Sequence, residues 1–291
     1  MSVPLTIVIP TYNEEVNLPH ALESVKGWAE QIIVVDSFST DKTVEVAKSY
    51  GVEVEQHAYE NMAAQRMWGM NHPSIKYEWV FHLDADEQVS AELKKEIADI
   101  LPNVSENIAG FTIRRKHIFM GRWMKHGGDY LRFLRLVKKN RTRIIKTTLL
   151  NEHTIVDGDV KSLRHELLHI NNKTLTEWIE RQNKGSVKYV LKIFQENENF
   201  NPPSLKSGEQ EERPLRTWVN YRLYARLPLW LRPFARFIGN YFLRCGFLDG
   251  WQGFIYHTVN DFLYPFFVYA KYKELCQNEQ ARKFAEESKW R

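Results

Sequence analysis

Cysteine is scarce in this chain. Its 291 residues hold two, Cys245 and Cys276, which excludes the disulfide-stapled secreted classes and fits a reducing compartment. Long apolar runs are also missing. A membrane-crossing helix needs roughly 18–20 consecutive apolar residues, and the nearest stretch, residues 254–270, is interrupted by His257, Asn260 and Asp261. No basic segment with an apolar core opens the chain, because the strand-like Leu5–Ile9 comes almost at once, so no secretory leader is expected. Charge of one sign is not in large excess either. The net charge is +4, an average that hides a basic C-terminal third joined to a near-neutral body.

What is present is a repeating pattern. Leu5–Ile9 and Gln31–Asp36 are apolar, β-branched runs that read as buried strands, Val52–Gln56 reads as a third and Trp79–Leu83 as a fourth. Between them, Leu18, Leu22, Val25 and Ala29 recur at helical spacing, a second helix runs through Val44 and Ala47 to a stop at Gly51, and Met62–Asn71 is a third. Strand and helix in alternation with short connections predict a parallel α/β sheet. Ser90 is placed to cap a helix carrying Leu93, Ile97 and Leu101. Beyond it, residues 110–118, 131–137 and 142–149 read as strands without intervening helices, so the sheet is expected to become mixed. Thr174 and Glu177 fit a capping box for a long helix with Leu175, Trp178, Ile179, Gln182, Val187, Val190, Leu191 and Phe194 on one face.

Ligands of such sheets bind at the carboxyl ends of the strands, and three of those ends carry polar clusters. The first has Pro10, Thr11, Tyr12, Asn13 and Glu14; the second has Asp36, Ser37 and Asp41; the fourth has Asp84, Ala85 and Asp86. Strand alternation places Asp84 and Asp86 on the same side, where hard carboxylate oxygens can share Mg2+ or Mn2+. An acidic turn after a core strand has the same sequence, and turn chemistry or helix capping explains Asn, Asp, Ser and Thr equally well at one site; the convergence of three sites favours a ligand. A phosphatase with Asp-x-Asp carries it on the first strand, and a nucleotidyltransferase carries a glycine-rich basic loop after that strand, which Thr11–Asn17 lacks.

The C-terminal third has a different composition. Residues 213–275 hold nine Lys+Arg against three Asp+Glu, and 18 of the 38 aromatic residues. Phe234, Phe237, Ile238, Tyr241 and Phe242 form an apolar stripe, with Arg232, Arg236 and Arg244 on another, the pattern of an amphipathic helix lying in a membrane interface. A helical hairpin packed on the body is the alternative. The polar, Pro-Pro-containing stretch before it is read as a linker, giving a catalytic domain at 1–196, a linker at 197–213 and a basic aromatic helical region at 214–291.

Residues 6–15 (TIVIPTYNEE), 34–43 (VVDSFSTDKT) and 83–86 (LDAD) resemble, in order, three blocks of the family 2 inverting glycosyltransferases with the GT-A fold. Residues 63–66 (AAQR), 134–136 (LRL), 167–169 (LLH), 181–183 (RQN) and 246–254 (GFLDGWQGF) resemble the bacterial lipopolysaccharide-core β-glucosyltransferase branch. The resemblance implies a mixed, mainly parallel sheet flanked by helices, followed by an amphipathic helical region. It implies a nucleotide-sugar donor, a UDP-hexose, contacted by Pro10, Thr11, Tyr12, Asn13, Glu14, Asp36, Ser37, Asp41, Gln65, Arg66, Asp84, Ala85 and Asp86. It implies Mg2+ or Mn2+ held by Asp86 with Asp84, and by His169 unless that histidine is a satisfied strand-end residue. The general base is assigned to Glu152, with His153 and Asp157 behind it, and acceptor or phosphate contacts to Arg132, Arg135 and His153. The acceptor expected is a lipid-linked glycan such as lipopolysaccharide core, or else a polyprenyl-phosphate-linked or capsular saccharide. The place expected is the bacterial cytoplasm, at the inner face of the cytoplasmic membrane. A nucleotidyltransferase or a non-enzymatic membrane-binding protein are the weaker readings, and no nucleic-acid partner is expected.

Overall fold

The computed structural model describes residues 2–128, 130–146, 152–195 and 227–278, with backbone alone at 145–146, 152–153 and 192–195. The expected linker at 197–213 lies outside the described residues. The chain forms two compact units. The first holds residues 2–118 and 130–172; the second holds 119–128 and the helices after residue 172.

In the first unit, strands β1 (Val3–Thr11), β2 (Ala29–Asp36), β3 (Glu53–Gln56) and β4 (Trp79–His82) alternate with helices α1 (Leu18–Val25), α2 (Thr43–Ser49) and α3 (Met62–Asn71). The chain continues through β5 (Glu87–Val89), α4 (Ala91–Ile100), β6 (Ile108–Phe119), the short β7 (Arg122–Trp123), β8 (Arg132–Lys138), β9 (Thr142–Lys146), β10 (Glu152–Val156) and β11 (Asp159–Ile170). The sheet runs β3-β2-β1-β4-β8-β6-β11-β5, and β9 and β10 form a separate antiparallel pair. β1, β2, β3 and β4 are mutually parallel, as are β6 and β11, whereas β8 is antiparallel to both its neighbours and β5 is antiparallel to β11. The expected mixed, mainly parallel sheet is therefore present.

Both faces of β1 are covered, which is why its sequence is continuously apolar. Leu5, Ile7 and Ile9 pack with Leu18, Leu22 and Val25 of α1 and with Leu93 and Ile97 of α4. Val8 faces the other way and joins Ile33, Val35 and Val80 against Ala63 and Met70 of α3. Each such side chain contributes roughly 1.5–3 kcal/mol on burial. Helix α3 lies close on the sheet at Gly69, where a Cβ would stand 2.6 Å from a Val8 methyl.

Two local expectations need correction. Ala29 starts β2 rather than extending α1, because Gly27 turns the chain in the left-handed region at φ +68°. The strand expected at 142–149 is present over Thr142–Lys146, and residues 147–151 lie outside the described residues. β11 escaped notice because only Leu163 and Leu167 among its twelve residues are buried apolar, so charged side chains dilute the alternation. The caps stand as read: Leu93 N–H donates to Ser90 Oγ at 3.2 Å, and Thr174 N–H donates to Glu177 at 2.8 Å.

The second unit is helical. Helix α5 (Leu175–Gln195) precedes α6 (Arg232–Phe237), which runs on as a π-helical stretch to Leu243; α7 (Gly250–His257) runs through a second π-helical stretch (Thr258–Leu263) into α8 (Tyr264–Gln277). Trp178 of α5 stacks on Tyr256 at 6.0 Å between ring centroids. Val190 meets Val268 and Leu275, and Lys271 Nζ donates to the Asn183 carbonyl at 2.8 Å. The buried Asp249 accepts from His126 N–H at 2.9 Å and from His126 Nδ1 at 2.7 Å, pinning the loop that continues into Gly127 and Gly128.

The arginine stripe of α6 is not a free basic face. Arg232 is buried and donates to the Leu227 carbonyl at 3.0 Å, and Arg236 pairs with the fully buried Asp261 at 2.8 Å. Asp261 also takes His257 Nδ1 at 2.6 Å. Burial raises the Asp261 pKa, but the His257 hydrogen bond and the Arg236 charge outweigh it and leave the group lowered. The stabilisation it gives is thus complete above the ordinary carboxylate value and lost as pH falls through the lowered one. Asp261→Asn should therefore lose about 3–5 kcal/mol at pH 7, and the gap to wild type should narrow below about pH 4, as read from urea unfolding midpoints across pH.

Candidate active site

The register brings three strand ends to one edge of the sheet. Thr11 of β1 pairs with Asp36 of β2, and Leu83 N–H, just past β4, donates to the Val8 carbonyl at 3.1 Å. Asp36 is fully buried. Its oxygens accept from Thr11 Oγ1 at 3.1 Å and from Ser39 N–H at 2.9 Å. Ser37 N–H returns to the Thr11 carbonyl at 2.9 Å, and its hydroxyl accepts from Gln65 Nε2 at 3.0 Å.

The two loops above Asp36 are stitched together. Asn13, at φ +54°, donates its N–H to Ser39 Oγ at 2.9 Å and accepts from Thr40 N–H through Oδ1 at 2.8 Å. Glu14 N–H donates to Thr43 Oγ1 at 2.7 Å, and Glu15 N–H donates to Asp41 at 3.1 Å. Burial tends to raise Asp41, yet hydrogen bonds from Thr43 and Glu15 hold its pKa below the ordinary value. Tyr12 and Phe38 stand exposed on these loops. The cradle is rigid at its base and apolar at its rim.

The fourth strand end departs from the alternation expected of it. The chain leaves β4 after His82, so Asp84 and Asp86 sit in the turn to β5 and face different partners. Asp84 is gripped by Arg66 at 2.6 Å and by Arg135 at 2.6 Å. Arg135 also holds Glu87 at 2.7 Å, and Glu87 in turn accepts from Asp84 N–H at 3.1 Å. Burial raises Asp84, but Arg135 and Arg66 outweigh it and keep the group ionised far below the usual range. Burial pushes Glu87 up, against Arg135 and with the help of the Asp84 charge. His82 beside them is pushed down to about 3 by burial and by the two arginines, so it is neutral.

Asp86 meets His169 instead. His169 Nε2 lies 3.3 Å from Asp86 Oδ2, and Ile170 N–H donates to the Asp86 carbonyl at 2.9 Å. A metal ion at the usual 2.0–2.2 Å from each of two adjacent octahedral donors sets those donors about 3 Å apart. The carboxylate and imidazole are spaced to act as such a pair; the carboxylate suits Mg2+ or Mn2+, and the imidazole nitrogen favours Mn2+ of the two. Among the described residues no group of three or more His, Cys, Asp or Glu is placed to hold a metal ion, so these two side chains would be the protein's share of the ligands. Asp84 is already neutralised, which leaves it the place of a neighbour to that pair.

The family model for glycosyl transferase family 2 matches residues 6–168. The chain belongs to glycosyl transferase family 2. Relatives of this glycosyltransferase include the lipopolysaccharide core biosynthesis glycosyltransferase LpsC of Rhizobium meliloti, 28% identical over 208 residues, which span 69% of this chain and 74% of LpsC. Another is the uncharacterized glycosyltransferase RT0209 of Rickettsia typhi, 23% identical over 281 residues, or 93% of this chain and 87% of that one. Among solved structures, S. aureus TarS 1–349 aligns over 88% of this chain and 90% of its own at 15% identity and a TM-score of 0.43. Glucosyl-3-phosphoglycerate synthase from Mycobacterium tuberculosis, in complex with Mn2+, UDP and phosphoglyceric acid, aligns over 64% and 77% at 14% identity and a TM-score of 0.41.

The glycosyltransferase brings Thr11, Asn13, Asp36, Ser37, Asp41 and Gln65 into one connected set, and Arg66, Asp84 and Arg135 into another. Arg132 donates to the Leu163 carbonyl at 2.8 Å. Glu152 and His153 open β10, paired in register with Lys146 and Ile145; their side chains lie outside the described residues. Sequence reasoning missed Asn17, whose Oδ1 accepts from Asn172 N–H at 2.8 Å and whose Nδ2 donates to Glu14 at 2.8 Å. It also missed Glu87, although an acid directly after Asp-x-Asp, in a segment about to be buried, signals a charge needing a partner. Arg135→Met strands the buried Glu87 and should reduce stability by about 3–5 kcal/mol. Adding Glu87→Leu should recover much of that loss, as measured by urea unfolding.

Proposed function

We propose that this glycosyltransferase moves a hexose from a UDP-sugar to a hydroxyl of a lipid-linked bacterial surface glycan of the lipopolysaccharide core kind, by one inverting displacement. The observation that carries the reading is the Asp86–His169 pair, 3.3 Å apart, beside the cradle built on Asp36. Asp36, with Thr11 and Ser37, receives the nucleobase end of the donor. Tyr12, Asn13, Glu14 and Asp41 shape the two loops around the ribose, and Arg66 with Asp84 stands at the diphosphate. Asp86 and His169 would hold Mg2+ or Mn2+, which stabilises the negative charge that develops on the departing nucleoside diphosphate. Glu152 takes the proton of the acceptor hydroxyl as its oxygen attacks the anomeric carbon, and the sugar–phosphate bond breaks on the opposite face. Inversion needs no covalent intermediate. The similarity to LpsC supports a core-type acceptor.

The second unit supports a place on the inner surface of the cytoplasmic membrane. No helix among the described residues is long and apolar enough to cross a membrane. Trp230, Phe234, Ile238 and Phe242 are exposed at intervals of four; Phe247, in the turn before α7, is exposed as well, as are Trp251 and Phe254 on α7. Tyr241 joins the two stripes, with its ring centroid 6.3 Å from Phe247 and 5.8 Å from Phe254. Leu243 is 80% exposed between them. An apolar face of this extent with aromatic edges suits shallow insertion among lipid headgroups.

The first test is release of UDP and other nucleoside diphosphates from a panel of nucleotide sugars with Mn2+. One donor should turn over, EDTA should stop it, and Asp86→Ala should lower the rate at least a hundredfold; turnover of no donor overturns the reading. Glu152→Gln should keep donor binding while transfer to acceptor falls by about 10²–10⁴. For the membrane, Leu243→Glu with Trp251→Glu should weaken co-sedimentation with anionic vesicles by about ten- to a hundredfold and leave donor hydrolysis in solution unchanged. Vesicle binding equal to wild type excludes this face as the contact.

A further inference from the structure

We infer that His117 is a positioning residue: it holds the aim of His169 and shares the Nδ1 proton with it, and so sets the affinity of the Asp86–His169 pair for a divalent cation. The inference rests on the proposed reading of that pair. Its basis is the sheet order. β11 lies between β6 and β5, and the register sets His169 opposite His117 on one side and opposite Glu87 on the other. Asp86 directly precedes β5. A residue on the sixth strand, 52 positions away in sequence, is thereby placed behind the histidine that faces Asp86. His169 Nδ1 lies 3.1 Å from His117 Nδ1, and the rings sit 4.7 Å apart at 40°.

Two nitrogens of the same kind at this distance share one proton, and which of them carries it decides the chemistry of the other end of His169. When His117 Nδ1 donates, the His169 proton sits on Nε2 and is given to Asp86, a closed ion-pair-like contact. When His169 Nδ1 donates, its Nε2 presents a lone pair toward Asp86, and the two acceptors can share a cation. The change moves the shared proton from His117 to His169, releases the His169 Nε2 proton, and places one on His117 Nε2, so both rings stay neutral and the proton count is unchanged. An imidazole can serve both states because it accepts or donates at Nδ1; a carbonyl in its place would enforce only the second. Metal-bound histidines are held in this way by a partner on the other ring nitrogen, and loss of that partner commonly weakens the metal by about 10–100-fold.

The test is binding of Mn2+ alone, and of Mn2+ with UDP, followed by the electron paramagnetic resonance signal of free Mn2+. His117→Phe keeps a ring in contact but removes the acceptor, and should weaken Mn2+ by about 10–100-fold. His117→Asn places an amide oxygen where Nδ1 stood and should bind within a few fold of wild type. His169→Ala is the control, expected to weaken Mn2+ at least as much as His117→Phe. Far-UV circular dichroism and melting check each fold, and His117→Leu replaces His117→Phe if the latter does not fold. Weak binding by His169→Ala with wild-type binding by His117→Phe overturns the inference and leaves the metal reading intact. Equal weakening by His117→Phe and His117→Asn also overturns it, since the ring would then act by packing alone. Wild-type binding by His169→Ala overturns the metal reading and the inference together.

Discussion

Arg135 sits inside the sheet, almost wholly shielded from water, between Asp84 and Glu87. A guanidinium there is tolerable only if its charge is met, and two carboxylates meet it with Arg66 completing the set. The arrangement dictates much of what surrounds it. β8 must run antiparallel between β4 and β6 to deliver Arg135 to the turn after β4. That turn must leave the strand after His82 so that Asp84 can reach back to both arginines. Asp86 is thereby released to face the opposite side, toward β11. The separation of two acids one residue apart, one held by arginines and the other facing His169, is a consequence of where the buried cation stands.

Much of the first unit was legible in the sequence because its strands are covered on both faces. Burial on both sides makes β1, β2 and β4 continuously apolar, and the helices between them carry ordinary caps and stops such as Ser90 and Gly51. The polar residues after those strands were legible for the same reason, since they interrupt an apolar pattern where a ligand is expected. β11 was not legible. It is half covered and charged along its length, so no local pattern betrays that it inserts between β6 and β5. The partners of His169 and the link from Asn17 to Asn172 depend on that insertion, the partners of Asp84 depend on α3 and β8, and none can be read from neighbours in sequence.

The second unit inverts the first impression of its sequence. A stripe of arginines beside a stripe of aromatics suggests basic residues turned outward. In the structure Arg232 and Arg236 are turned inward, onto the Leu227 carbonyl and Asp261, while Phe234, Ile238 and Phe242 face out. Turning Arg236 inward is possible because Asp261 meets its charge while also taking His257, and no helical-wheel argument can see a counter-charge 25 residues away.

Asn17 has a bearing on how the molecule is made. It joins the first loop to Asn172, 155 residues later, and β5 pairs with β11 rather than with anything made before it. During synthesis the first four strands can collapse on α1 and α3 as soon as they leave the ribosome. The edge they present stays unfinished, with β5 lacking its sheet partner and Asn17 lacking Asn172, until the chain has been extended past residue 172. Chain closure over such a span is slow relative to local folding. A ribosome-bound intermediate with a formed core and an unfinished β5 edge is therefore the natural resting point of this protein's assembly.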